Sequence, residues 1–202
     1  MINKKTQKDF FQDYFSSVKI LLDKLDYEKL IKISDFIEKC IKLKKKIFVA
    51  GNGGSASVAN HFLCDFNKGV KVSSKQKMVP MVYSLANSIE MITAISNDMS
   101  FENIFEFQLE NYASKGDVLF VFSCSGTSKN ILKVIKKANK LKIDTIFISG
   151  FLKKKLNLKV KLHYDLDCEN YGITEDMFSS FMHLISQWIR FKYSNYNNKI
   201  IL

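Results

Sequence analysis

The sequence predicts one α/β domain built as three layers, with a central parallel five-stranded sheet between two layers of helices. Short apolar runs rich in β-branched and aromatic residues alternate with longer segments of helical periodicity, as in parallel strands joined by crossover helices. The chain has 202 residues, 47% of them hydrophobic, which is enough for one substantial core. Because Pro80 is its only proline and no glycine-rich linker interrupts it, residues 1–202 are expected to form a single domain.

The first 45 residues form a predicted helical arm. Apolar residues between Phe10 and Leu25 recur at steps of three and four, and a second amphipathic helix follows at about 27–43. This arm carries more apolar surface than one small sheet readily covers. We therefore expect residues 1–45 to be used in oligomerisation, with the surplus surface buried against a partner subunit.

The rest of the chain alternates strands and helices. The run Lys46–Ala50 is short, β-branched and followed by glycines, which is typical of a buried parallel strand. Further strands are predicted at 79–85, 117–123, 144–149 and 160–166, and helices at 56–66, 88–95, 101–112, 129–141 and 174–193. In such a sheet, ligands bind beyond the carboxyl ends of the strands, so the residues after each apolar run are the first candidates for a site.

Composition narrows the classes of function. The formal net charge is +11, but Arg190 is the only arginine, so a lysine surface with weak, salt-sensitive and unspecific contact to nucleic acid is expected. No apolar run is long enough to span a bilayer, and the lysine-containing start lacks the apolar core of a signal peptide. We therefore expect a cytoplasmic protein without membrane contact. The four widely spaced cysteines predict buried reduced thiols.

The turn after the first strand is rich in glycine and reads Gly51-Asn52-Gly53-Gly54-Ser55. Glycines let the backbone pass close to a ligand, and exposed N–H groups at the start of a helix favour an anion. A tight turn without a ligand is the alternative reading. The turn matches neither G-x-G-x-x-G nor the Walker A pattern, so no nucleotide cofactor is expected.

The turn after the third predicted strand, residues 123–128, is rich in hydroxyls and reads S-C-S-G-T-S. Four hydroxyls converge there on a helix N-terminus, which suits a phosphomonoester because its oxygens accept several hydrogen bonds at once. The alternative is that Thr127 or Ser128 only caps the following helix, but capping would use a single hydroxyl.

Two histidines and two carboxylates are the candidate chemical groups. His61 and Asp65 are four residues apart and share one face of a predicted helix, where they could share a proton or a divalent metal, or simply a structural hydrogen bond. Glu175 and His183 lie about 12 Å of rise apart on the last helix. They can join one compact cluster only if their side chains reach towards each other or come from different subunits. By default, His183 among apolar residues is a core histidine.

Taken in order, these motifs resemble the sugar isomerase (SIS) domain and, within it, the phosphoheptose isomerase family. G-N-G-G-S is followed about 70 residues later by S-x-S-G-x-S, and the helix between them carries the segment His61 to Asp65. Asn97-Asp98 follows a helix as in the family, and His183 lies on the final helix. The resemblance covers essentially the whole chain, including the arm. It implies a homotetramer with active sites between subunits.

The resemblance also implies roles for individual residues. Aldose–ketose isomerisation needs a base beside the carbonyl carbon and an acid near the oxygens, and proceeds through an enediol. Asp65 stands where the family commonly has its catalytic glutamate, and His183 where it has its catalytic histidine. The residues implied to bind the substrate are Asn52, Gly53, Ser55, Asp98 and Glu175, together with the phosphate-binding Ser123, Cys124, Ser125 and Ser128.

A zinc ion is the cofactor that the resemblance implies. Some members of the family bind zinc through two histidines, a carboxylate and a glutamine, and the matching positions here hold His61, Asp65, Glu175 and His183. Two imidazoles and two carboxylates suit zinc, which would polarise the carbonyl of the substrate. Alternatively, the second carboxylate serves as the base without any metal.

The chain departs from the family pattern at several of these positions. Asp65 is one methylene shorter than the usual glutamate, Glu175 replaces glutamine, and Cys124 replaces the usual threonine of the phosphate loop. Gly172 replaces an acidic residue that often contacts the substrate, and Phe178 replaces a histidine. These changes affect which sugar the protein would accept and which residue would act as the base, whereas the fold and the phosphate loop are retained.

The leading functional prediction is the conversion of sedoheptulose 7-phosphate to D-glycero-D-manno-heptose 7-phosphate, for lipopolysaccharide or capsule heptose. One alternative is a non-catalytic SIS-domain protein that senses a sugar phosphate or binds a replication initiator. That branch lacks the final-helix histidine, so His183 favours the enzyme. The other alternative is an isomerase of a different phosphosugar.

Overall fold

A computed structural model describes residues 6–152 and 159–194, and these form a three-layer α/β sandwich. The central sheet has five parallel strands in the order β2-β1-β3-β4-β5. The strands are β1 (Lys46–Ala50), β2 (Met81–Ser84), β3 (Val118–Ser123), β4 (Asp144–Ser149) and β5 (Leu162–Asp165). The predicted fold class is confirmed, and each of the five strands lies within a predicted segment.

Eight α-helices surround the sheet in the described part of the chain. They are α1 (Gln7–Asp23), α2 (Tyr27–Lys42), α3 (Gly54–Cys64), α4 (Lys71–Ser73), α5 (Ile89–Asp98), α6 (Ile104–Tyr112), α7 (Lys129–Lys140) and α8 (Tyr171–Tyr193). A 3₁₀ turn, Phe101–Asn103, precedes α6, so the predicted helix at 101–112 is divided. Asn170 caps α8 by accepting a hydrogen bond from Ile173 N at 3.1 Å, which explains why this helix begins before the predicted residue 174.

Alternation of side chains along the strands creates two cores, one on each face of the sheet. Ile47 and Val49 of β1 pack into the core under α2, α3 and α8, while Phe48 and Ala50 pack into the core under α5, α6 and α7. All six residues of the central strand β3 are buried. Burial on both faces is why these strands appear in the sequence as continuous apolar runs.

The helix after the glycine turn is longer than predicted and changes pitch. It starts at Gly54 as α3, continues as a π-helix over Asp65–Val70 and ends with the single turn α4. Phe62 and Phe66, four residues apart, stack with ring centroids 4.2 Å apart across the start of the π-helix. The predicted helix at 56–66 is therefore correct but incomplete, because its end lacks the glycine or proline that usually marks one.

The first helix of the N-terminal arm is exposed in the single chain. None of the residues of α1, Gln7–Asp23, is buried, and Phe10, Phe11 and Phe15 are each more than half exposed. A hydrogen bond of 2.6 Å from the Tyr14 hydroxyl to Asp176 joins α1 to α8 and raises the pKa of Tyr14 to about 12. The helix α2, by contrast, packs firmly on the domain.

A buried carboxylate ties α2 to the end of α8. Glu38 is 5% exposed and receives hydrogen bonds from Lys192 and Tyr193, with Lys42 paired to it at 2.8 Å. Burial by itself would raise the pKa of Glu38, but the hydrogen bonds from Lys192, Lys42 and Tyr193 outweigh it and lower the pKa to about 2.

Candidate active site

The two polar turns lie side by side at the carboxyl edge of the sheet. The chain leaves β1 to form β2 on one side and later returns to form β3 on the other, so the strand order reverses between β1 and β3. Helices that follow neighbouring strands diverge at such a point and leave a crevice between them, which is the usual ligand site of an open α/β sheet.

The glycine turn brings backbone into close contact with the last helix. Gly53 has φ +55°, a left-handed conformation that favours glycine, and a side chain at Gly54 would overlap the carboxylate of Glu175. A Cβ at Gly51 would lie 2.5 Å from the Ser55 carbonyl oxygen. The glycines are therefore required by this turn itself, and the carboxylate of Glu175 lies at the N-terminus of α3.

The hydroxyl-rich turn folds upon its own backbone. Ser123 Oγ accepts a hydrogen bond from Gly126 N, and Ser125 Oγ accepts one from Thr127 N, both at 3.3 Å. Gly126 has φ +65°, so the turn needs a glycine there. Ser128 occupies the cap position of α7, yet within the described chain its side chain makes no capping hydrogen bond. The hydroxyl of Ser128 thus has no capping role to perform.

A pair of amide side chains joins the two turns. Asn52 donates to Asn130 Oδ1 at 2.9 Å, and Asn130 donates back to Asn52 Oδ1 at 2.8 Å. Asn130 is 2% exposed and lies in the first turn of α7. Asn130 was not predicted as a site residue, because nothing local distinguishes it from a solvent-facing helix residue. Its contact with Asn52 fixes the spacing between the glycine turn and the hydroxyl turn.

Cys124 of the hydroxyl turn is a buried thiol that faces the start of α3 and the last helix. Its Sγ lies 3.9 Å from Ser55 Oγ and 3.8 Å from Glu175 Oε1. Burial raises the pKa of the Cys124 thiol to about 11, so the group is a neutral thiol at neutral pH. All four cysteines are free, but the predicted burial is wrong for the exposed Cys64 and only partly right for Cys168.

Asp65 and the two predicted histidines form one cluster. Asp65 Oδ2 lies 3.0 Å from His183 Nδ1, and Asp65 Oδ1 lies 3.4 Å from His61 Nε2. The two imidazole rings meet edge to face, with centroids 4.8 Å apart. The side chain of His183 is 39% exposed, so the alternative of a core histidine is wrong.

Local structure explains why these three groups meet. His61 lies in the last turn of α3 and Asp65 begins the π-helix, while His183 comes from α8, which packs against both. A second α8 residue reaches the same carboxylate, because Ser186 Oγ donates to Asp65 Oδ2 at 3.0 Å. Ser186 was not predicted as a site residue, although its spacing of three from His183 places both on one helix face.

The cluster has the composition of a metal site. One ligand atom from each of His61, Asp65 and His183 lies within 4.8 Å of the others, and two imidazoles with one carboxylate suit zinc with an open fourth position. Glu175 does not belong to this group. It is two helical turns before His183, and its carboxylate instead faces Gly54 and Cys124. The predicted four-ligand set is therefore brought together only as three.

Asp98 is the predicted substrate residue that the structure does not join to either turn. It is the last residue of α5, is exposed, and accepts a hydrogen bond of 2.8 Å from the neighbouring Asn97. The remaining predicted residues, Asn52, Gly53, Ser55, Ser123, Cys124, Ser125 and Ser128, all belong to the two turns at the edge of the sheet. The residues predicted to bind the sugar and those predicted to bind the phosphate thus follow neighbouring strands, β1 and β3.

The fold and this arrangement of turns define a SIS-domain protein, and the family model described as SIS domain matches residues 13–150. A probable phosphoheptose isomerase of Thermoplasma acidophilum is 32% identical over 169 residues, which cover 84% of this chain and 91% of that protein. A phosphoheptose isomerase of Helicobacter pylori is 35% identical over 150 residues, 74% of this chain and 76% of that protein. The chain belongs to the phosphoheptose isomerase family.

Solved structures agree on the fold. A phosphoheptose isomerase from Neisseria gonorrhoeae superposes with a TM-score of 0.80 at 22% identity, covering 91% of this chain and 98% of that chain. One from Francisella tularensis gives a TM-score of 0.78 at 23% identity, with coverage of 92% and 98%.

Proposed function

We propose that this protein is an aldose–ketose isomerase that converts sedoheptulose 7-phosphate to D-glycero-D-manno-heptose 7-phosphate, for lipopolysaccharide or capsule heptose. The observation that carries the proposal is the contact between Asp65 and His183, at 3.0 Å, on two elements that also reach the hydroxyl-rich turn, through Ser55 and Glu175. A carboxylate and an imidazole are the base and acid that enediol chemistry needs.

The residues of the chain divide the work between binding and proton transfer. The turn of residues 123–128 would hold the phosphate through hydroxyls and the N-terminus of α7, and Asn52 and Ser55 would contact the sugar. Asp65 would take the proton from the carbon beside the carbonyl, and His183 would protonate the carbonyl oxygen. Asp98 and Glu175 would contact more distant hydroxyls of the substrate, which has several to offer.

As the alternative to direct proton transfer by Asp65 and His183, zinc fits the cluster of His61, Asp65 and His183, and these three residues would then be its ligands. When bound, the metal would polarise the carbonyl oxygen of the substrate. Glu175, the fourth ligand expected from the family pattern, would have to leave its contact with Cys124 to reach it. Its present position supports a role in substrate binding.

The assembly we propose is a homotetramer in the cytoplasm, with active sites between subunits. Support comes from the apolar surface of the single chain, where Leu184 and Trp188 are about half exposed beside a cavity of about 370 Å³ between α2 and α8. The exposed phenylalanines of α1 are further apolar surface in the single chain. Within residues 6–152 and 159–194, no helix has the length and apolar character needed to cross a bilayer.

The test is turnover of sedoheptulose 7-phosphate by the purified protein, followed by NMR, with and without added zinc. Asp65→Asn and His183→Gln should each lower kcat by at least about 100-fold, because each removes a proton-transferring group. Glu110→Gln changes an exposed carboxylate paired with Lys137 and should leave turnover unchanged. No turnover, combined with saturable binding of the phosphosugar, would favour a sensor or an isomerase of another sugar.

A further inference from the structure

The carboxylate of Asp65 is held by a hydroxyl as well as by histidine. Ser186 Oγ donates to Asp65 Oδ2 at 3.0 Å, across 121 positions of sequence. Ser186 is fully buried, with 0% exposure, whereas the Asp65 side chain is 18% exposed, so the contact is partly buried. Burial of the hydroxyl strengthens its hydrogen bond to a charged acceptor, because water does not compete for the serine.

A serine inside a helix ordinarily bonds only its own backbone. Ser180, also on α8, is such a case, because its Oγ donates to the Asp176 carbonyl oxygen at 2.9 Å and its side chain is exposed. Ser186 has this option too, since the His183 carbonyl oxygen is 3.0 Å from its Oγ. One hydroxyl proton thus serves two acceptors, and the carboxylate is the stronger of them.

The geometry divides the two oxygens of Asp65 between two tasks. Both α8 donors, His183 Nδ1 and Ser186 Oγ, meet Oδ2 at 3.0 Å. Oδ1 is left on the side of His61, whose Nε2 is 3.4 Å away. Two donors from one helix fix the position of Oδ2, and a fixed Oδ2 determines the direction of Oδ1.

We propose that Ser186 is a positioning residue for the isomerisation, acting through Asp65. It anchors Oδ2 so that Oδ1 faces His61 and the open side of the site. The anchor matters for a short side chain, because an aspartate has little freedom to correct a misplaced carboxylate, and displacement of about 1 Å can lower a rate about 100-fold. Ser186 itself is buried and does not touch the substrate. This inference rests on the proposed function.

The first test is steady-state kinetics with sedoheptulose 7-phosphate for three variants. Ser186→Ala should lower kcat by about 10- to 100-fold while KM stays within about twofold, because the phosphate and sugar contacts are untouched. Ser186→Thr keeps the hydroxyl and should recover most of the loss. Ser180→Ala, the matched control, removes a helix serine that bonds only backbone and should behave as the unmodified protein.

The second test needs no turnover and so separates this inference from the proposed function. In metal-free protein labelled with ¹⁵N-histidine, the ring nitrogens of His183 should report a proton held on Nδ1 by Asp65. Ser186→Ala should change this signal towards a mixture of tautomers, whereas Ser180→Ala should not. If the unmodified protein fails to isomerise the sugar, the proposed function fails while this measurement still decides on Ser186.

Two results would overturn the proposal. One is a Ser186→Ala variant with the kcat and the His183 signal of the unmodified protein. The other is a variant that loses activity without rescue by Ser186→Thr and without a change in the His183 signal, which would mean a purely structural defect. Far-ultraviolet circular dichroism on each variant confirms that the domain is folded.

Discussion

Glu38 offers a quantitative test of how α2 is fastened to the end of α8. Its pKa falls from an ordinary value of 4.5 to about 2 in the folded chain, and a tenfold change in proton affinity corresponds to about 1.4 kcal/mol, so ionised Glu38 contributes about 3 kcal/mol. The partner side chains, Lys42 and Lys192, are 53% and 41% exposed, and solvent weakens their share. We therefore expect Glu38→Gln to lower the free energy of unfolding by about 2 kcal/mol at pH 7.

The direction of the pH dependence follows from the lowered pKa. A group whose pKa is depressed by folding stabilises the protein above its unfolded pKa, and the stabilisation is lost as the pH falls through the folded value. The difference between the unmodified protein and Glu38→Gln should thus be full above about pH 5 and shrink steadily towards pH 2. Urea denaturation at fixed protein concentration, in steps of pH, measures it.

Glu110→Gln is the control, because Glu110 is 54% exposed and its ion pair with Lys137 should contribute well under 1 kcal/mol. A loss at pH 7 as small as that of the control would refute the proposed strength of the Glu38 network. So would a loss for Glu38→Gln that stays constant from pH 7 to pH 3, because the effect would then come from packing rather than from charge.

Two further predictions concern the turns of the site. Iodoacetamide at about pH 7.5 should alkylate the exposed Cys64 at least about 100-fold faster than Cys124, because Cys124 is buried and its thiol has a pKa of about 11. Mass spectrometry measures the two rates, and comparable rates would mean that Cys124 is accessible. Asn130→Ala breaks both hydrogen bonds to Asn52 and should lower the free energy of unfolding by about 1–3 kcal/mol, as measured by urea denaturation. The variant should also raise KM for the phosphosugar in steady-state kinetics. An unchanged KM would show that the two turns keep their spacing without this pair.

The sequence predicted the features that depend on local pattern. Each strand was visible because burial on both faces makes it continuously apolar, and the two turns were visible because glycines and hydroxyls follow directly after strands. The helical rise between Glu175 and His183 correctly indicated that a single chain cannot readily place both in one compact cluster, and the structure places them apart.

What escaped prediction depends on contacts between distant parts of the chain. In the sequence, Ser186 is indistinguishable from an ordinary helix serine, because its role depends on the packing of α8 against Asp65. Asn130 is likewise indistinguishable from a surface amide, because its role depends on the contact between the hydroxyl turn and the glycine turn. The exposure of His183 depends likewise on which helix covers it. In each case the deciding partner is more than 70 positions away, where no periodicity in the sequence can indicate it.

The π-helix sets the rotational phase between the site and the core. Val58, Phe62, Phe66 and Val70 are all buried and succeed one another at steps of four, whereas an α-helix with 3.6 residues per turn would rotate such a series steadily away from the sheet. The wider turn over Asp65–Val70 absorbs this drift, so His61 and Asp65 face α8 while Phe66 and Val70 return to the core. Deleting one residue from this segment would restore an α-helical pitch and leave Phe66 and Val70 on the buried face, whereas deleting one residue from α3 itself would turn everything beyond it by about 100°. The spacing of this helix thus constrains which insertions and deletions the site can survive.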